Sequence, residues 1–160
     1  MDIENIILKM KAYFGEDQKR IEHALSVLNY SRQILEKEQA NRDIIEVAAV
    51  LHDIGISEAE RKYNSTAGHY QQIEGPPIAK KILQELNCDN NLIETVCEII
   101  SKHHILNGMI SQEFQILYEA DWLVNLQDDY KDWSKEQKEK AIQKNFKTKP
   151  GLAIAKVLIT

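Results

Sequence analysis

The sequence predicts an all-α protein, and three observations carry that expectation. Apolar residues recur at three- and four-residue spacing along most of the 160 residues. Residues that cap helix N-termini stand just ahead of those stretches. Six glycines and three prolines are few for a turn-dense β protein, and no stretch reads convincingly as a strand.

The elements follow in order. MDIENIILKMKAYF reads as a short amphipathic helix; its acidic start and lack of a basic segment argue against a signal peptide. From Asp17, read as the N-cap, to about Glu38, Ile21, Ala24, Leu25, Leu28, Ile34 and Leu35 form one helical stripe. Asn41 caps a second strong helix expected to run through EVAAVL to Asp53, with Gly55 placed to end it. Residues 56–72 have weak pattern and read as a loop or short helix. Gly75-Pro76-Pro77 is expected to open the next helix, since proline is tolerated in a first turn. A further helix starts near Asn90, and its stripe continues to His103 and His104. Ser111 caps a helix whose inner face reads Phe114, Leu117, Asp121, Val124. Ser134 to Gln137 fits a capping box, and Pro150 begins the last helix. The expectation is about seven helices in one domain over 1–160, with the motif-bearing core at about 17–127 and C-terminal helices at about 134–160.

Composition narrows the function. Hydrophobic residues are 43% and charged residues 28%, an ordinary globular balance, and no apolar run approaches a membrane span. The net charge of -5 argues against dedicated nucleic-acid binding, although the segment from Lys131 to Lys149 is locally basic and reads as a solvated helix face. Cys88 and Cys97 form no motif and read as reduced thiols, consistent with a cytoplasmic protein. A homo-oligomer is compatible with these features.

Two polar anomalies stand against the apolar pattern. His52 and Asp53 end a segment that reads as buried nearly all round, and Asp121 sits on a core-facing stripe. A carboxylate in such surroundings is costly unless a cation compensates it. All five histidines precede Asp121. One picture joins these facts: separate helices bring His23, His52 with Asp53, and Asp121 to one polar point. Two imidazoles and two carboxylates suit a divalent transition ion such as Mn, Fe, Co or Ni, with Mg and Zn also compatible. Open positions on that ion would serve metal-assisted hydrolysis.

The order His, His-Asp, Asp resembles the HD-domain superfamily of metal-dependent phosphohydrolases. The segments that carry the resemblance are IEHALSVLNYSRQI, AAVLHDIG, EGPPIAKKIL, IISKHH and LYEADWLVN, spanning about residues 20–126. The resemblance implies a helical fold, one divalent metal on His23, His52, Asp53 and Asp121, and hydrolysis of a phosphate ester, often a nucleotide. Two-metal members carry a further histidine four residues before a helix-opening glycine. Here that position is Gln71, and His69 is out of step by two. The departure points to a single metal and counts against the di-iron oxygenases of the same fold. Glu74, His69, His103 and His104 are candidates for moving protons, although Glu74 serves equally to favour a helix N-terminus. Lys80, Lys102 and Asn125 are candidates for holding substrate. A metal-containing module that binds a nucleotide without turnover, and an iron-dependent oxygenase, are the alternative functions.

Overall fold

The structure is a computed structural model that describes residues 1–103 and 111–160. The described residues form nine helices and no strand. They are α1 (Ile3–Phe14), α2 (Gln18–Leu35), α3 (Arg42–Leu51), α4 (Ile56–Tyr63), α5 (Gly68–Glu85), α6 (Asn90–Lys102), α7 (Gln112–Gln127), α8 (Lys135–Asn145) and α9 (Lys149–Leu158). None of these is long and apolar enough to cross a membrane. The all-α expectation holds, with two more helices than the expected seven or so. One of the nine, α4, occupies part of the segment with weak pattern.

The bundle is organised around α3. Every residue from Ile45 to Leu51 is buried, because α1, α2, α6 and α7 pack around it. Glu46 belongs to that run and is satisfied by Arg32 and, at 3.5 Å, by Arg42. α2 packs on both α3 and α7, so three helices that carry polar anomalies are mutual neighbours. The cap residues read from sequence act as caps: Asp17, Asn41, Ser111 and Ser134 each accept a backbone N–H, and Ser134 with Gln137 completes a capping box.

Two boundaries differ from expectation. Gly75-Pro76-Pro77 does not open a helix; it lies inside α5, which begins at Gly68. The prolines remove the N–H groups that would reach the Gln72 and Ile73 carbonyls, a loss of about 3 kcal/mol for an interior proline. Packing compensates: Ala79, Ile82 and Leu83 are buried, and α5 and α6 lie side by side. The second difference is that α3 ends at Leu51, with His52 as C-cap and Asp53 in the following turn. Gly55 is not a left-handed terminator. Its φ is -82°, and it precedes α4. It is glycine because a Cβ there would lie 2.4 Å from the Gly75 backbone nitrogen.

The C-terminal segment is tied to the bundle through Glu119. This fully buried carboxylate accepts from Gln115 Nε2 at 2.7 Å, the Lys147 and Thr148 backbone N–H groups at 2.9 and 3.0 Å, and the Thr148 hydroxyl at 2.6 Å. Thr148 is the N-cap of α9, so the charge also faces that helix's positive end.

Candidate metal centre

The ends and edges of α2, α3 and α7 meet at one polar cluster. On α2, buried Ile21, Ala24, Val27 and Leu28 fix the helix against the core and leave His23 at its margin. On α7, Leu117, Ala120 and Val124 do the same for Asp121. At the end of α3, the His52 Nδ1–H donates to the Ala49 carbonyl at 2.7 Å. That bond fixes Nδ1 as a donor and turns Nε2 toward the cluster, where it offers a lone pair once its proton is displaced.

The donor atoms converge closely. His23 Nε2 lies 3.2 Å from His52 Nε2 and 3.1 Å from Asp121 Oδ1. His52 Nε2 is 3.4 Å from the same Asp121 oxygen. Asp53 Oδ2 approaches His23 Nε2 at 3.2 Å and His52 Nε2 at 3.3 Å. His23, His52 and Asp121 thus place one ligand atom each within 4.8 Å of one another, and Asp53 lies against both ring nitrogens. Ligand bonds to a divalent transition ion are about 2.0–2.2 Å, so neighbouring ligand atoms sit about 3.0–3.5 Å apart. The observed separations of 3.1–3.4 Å suit such an ion, as does the mixture of imidazole and carboxylate.

The HD-domain family model matches residues 20–126, which hold all four of these residues. The chain belongs to the HD-domain family. HD domains bind divalent metals, and the expected family membership is borne out. The fold is also similar to the crystal structure of a predicted HD superfamily hydrolase from an uncultured Thermotogales bacterium. The TM-score is 0.70 at 19% identity, over 96% of this chain and 83% of that one. At that identity the likeness speaks to fold. No curated protein matches the chain.

Electrostatics in this HD domain follow from opposite charges in a confined space. Burial pushes the His23 pKa down, but hydrogen bonds to Asp121 and Asp53 outweigh it and hold the imidazole at about 9. Burial likewise opposes the charged His52, and the Asp53 charge and both carboxylates' hydrogen bonds raise it regardless. Burial would raise the Asp53 and Asp121 carboxyls; the neighbouring imidazoles keep both well below the usual carboxylate range. The cluster therefore holds positive charge between its carboxylates, as protons when no metal is bound.

A cavity of about 360 Å³ opens over His23, Asp53 and Asp121. Lys19 and Arg20 of α2 form one wall, Gln71 and Thr66 a second, and Asn125, Asp128 and Asp129 a third. A larger cavity, about 560 Å³, lies where α1, α3 and α6 begin. Its Asp2, Asn41 and Asp89 side chains serve as helix caps, so the chemistry favours the smaller one.

The other residues singled out in the sequence are distributed unevenly. Asn125 lines the cavity. His103 is buried at the end of α6, its Nδ1–H on the Ile100 carbonyl at 2.8 Å and its Nε2 3.2 Å from Asp53 Oδ1. It touches the cluster through Asp53. Glu74 does not line the cavity. The register of α5 turns it to α4, where Lys62 Nζ reaches it at 2.7 Å and the Tyr63 hydroxyl at 3.1 Å. His69 is exposed in the first turn of α5, against the Tyr70 ring, and does not line the cavity. Lys80 is exposed on α5, and Lys102 pairs with Glu98 at 3.4 Å; neither lines the cavity. His104 lies outside the described residues.

Gln71, noted from sequence as the departure from the two-metal pattern, is buried at the cavity wall with its Nε2 donating to the Thr66 carbonyl at 2.6 Å. Sequence reasoning missed Lys19, Arg20, Asp128 and Asp129. Helical spacing carried the signal: Lys19 and Arg20 precede His23 by four and three residues, and Asp128 and Asp129 follow Asn125 by three and four.

Proposed function

We propose that this HD domain is a metal-dependent phosphohydrolase acting on a small phosphate ester. One divalent transition metal would be held by His23, His52, Asp53 and Asp121. The observation that supports this reading is the convergence of the two imidazole Nε2 atoms and both carboxylates at 3.1–3.4 Å beneath an open cavity. When bound, the ion supplies a Lewis acid that acidifies a water and polarises a phosphoryl oxygen.

The protein's own groups do the rest. The Ala49 carbonyl orients His52, and His103 orients Asp53. Lys19 brings to the cavity wall positive charge that favours an entering phosphate, beside Arg20, whose guanidinium is paired with Asp17 and Glu60. Asn125 and Gln71 offer amide contacts to the ester. Gln71 supplies an amide where the two-metal pattern has an imidazole, which supports a single-metal hydrolase over a di-iron oxygenase.

The test is phosphate release from chelator-treated protein reloaded in turn with Mn, Co, Ni and Mg. Metal-dependent release, reduced at least about 100-fold in Asp53→Ala, is the expected result. Metal binding without release from any ester would assign the non-catalytic alternative.

A further inference from the structure

The walls beyond the cluster carry information about the rest of the substrate. A second cavity of about 500 Å³ shares Lys19, His23, Asp128 and Asp129 with the first. The two make one trough running from the cluster along α2 and past the C-terminal end of α7. Its outer part carries Glu22 and Ser26 from α2, with Gln127 and Lys131 at the far side. Glu22, Asp128 and Asp129 are exposed carboxylates, which accept hydrogen bonds and cannot donate them.

Among the described residues no Phe, Tyr or Trp lines either cavity, and the one ring that lines both, His23, is engaged by the cluster. The aromatic side chains near this end of α7 are engaged with one another: Tyr130 stacks on Trp133 at 4.2 Å, and Trp122 lies 5.5 Å from Tyr130. Sites that hold a nucleobase commonly offer it a ring or guanidinium face for stacking. The Arg20 guanidinium is held by ion pairs to Asp17 at 2.9 Å and to Glu60.

Charge points the same way. A divalent ion at the cluster would offset Asp53 and Asp121, leaving three carboxylates, Glu22, Asp128 and Asp129, against two lysines, Lys19 and Lys131, along the outer trough. The acidic excess is less favourable to a polyphosphate chain than to a single phosphate, and the carboxylates suit hydroxyl donors.

Building on the phosphohydrolase reading, we infer that the substrate is a phosphate monoester of a sugar or polyol, whose hydroxyls bind Asp128 and Asp129, rather than a nucleotide. Water adds to phosphorus, the P–O bond to the sugar breaks, and the departing oxygen takes up the proton the water gives up. The products are the free alcohol and inorganic phosphate.

The experiment compares ribose 5-phosphate, glucose 6-phosphate, AMP, ATP and p-nitrophenyl phosphate on the full chain reloaded with Mn. Ribose 5-phosphate and AMP isolate the effect of the base. The expected kcat/KM is at least about 10-fold higher for ribose 5-phosphate, with ATP the poorest. Asp128→Asn and Asp129→Asn should each narrow the ribose 5-phosphate to AMP ratio several-fold by raising KM for the sugar phosphate. Equal or better turnover of AMP, or variants that leave the ratio unchanged, would overturn the inference while the phosphohydrolase reading stands. Release from none of the five esters would bring down both.

Discussion

His103 Nε2 lies 3.2 Å from one oxygen of Asp53, while the other oxygen of the same carboxylate faces both His23 and His52. One side chain thus joins the end of α6 to the cluster at the end of α3. Hydrogen-bonding partners of metal-binding carboxylates commonly contribute 10- to 100-fold in affinity or activity. His103→Ala should weaken metal binding by about that factor, and His103→Gln, which retains a donor, should recover part of it. Titration of chelator-treated variants with Mn checks this; affinity equal to the parent in His103→Ala would show that Asp53 needs no such support.

Gly55 and Gly75 make an asymmetric pair. A Cβ on Gly55 would meet the Gly75 nitrogen at 2.4 Å and its Cα at 2.7 Å, all backbone. A Cβ on Gly75 would press on the side-chain Cγ2 of Ile100 at 2.9 Å and meet the Gly55 backbone at an ordinary 3.8–4.0 Å, and alanine favours a helix interior. Gly55→Ala should therefore cost about 3 kcal/mol in urea unfolding, and Gly75→Ala markedly less. Because Asp53 lies two residues before Gly55, Gly55→Ala should also loosen metal binding. Equal losses for the two variants would contradict this packing.

Most of the fold was legible because its signals are local. Asp17, Asn41, Ser111 and Ser134 cap helices through neighbours three residues away. The cluster was legible for a related reason: His52, Asp53 and Asp121 are polar residues where periodicity demands apolar ones. What was not legible depends on distant contacts. Gly55 matches a helix terminator in sequence, yet its role is set by Gly75, which arrives from α5. Gly75-Pro76-Pro77 resembles a helix start because the packing that sustains α5 through two prolines cannot be read locally. Glu74 has the chemistry of a base, and only the structure shows Lys62 and Tyr63 upon it.

The charge pattern of the cluster fixes two pH dependences of opposite sign. His23 is raised from 6.5 to about 9 by its carboxylate neighbours. Its contribution to stability is complete below 6.5 and is lost as pH rises through about 9. Asp53 and Asp121 are lowered, so their contribution is present above about pH 4 and lost as pH falls through their folded values. Metal-free protein should melt highest between about pH 4 and 6.5 and less well toward pH 9. Metal binding displaces the His23 proton and should tighten over the same rise. Thermal melts at about pH 6, 7.5 and 9, with chelator and with Mn, should show a gap that widens with pH; a constant gap would contradict the arrangement.

The most direct measurement is calorimetric titration of Mn into chelator-treated parent, Asp121→Ala and Lys149→Ala, with circular dichroism to confirm that each is folded. Asp121 Oδ1 lies 3.1 Å from His23 Nε2 and 3.4 Å from His52 Nε2, whereas Lys149 is exposed at the start of α9. The parent and Lys149→Ala should bind about one ion per chain with equal affinity, and Asp121→Ala at least about 100-fold more weakly. Binding by folded Asp121→Ala that matches the parent would contradict a metal centre at this cluster.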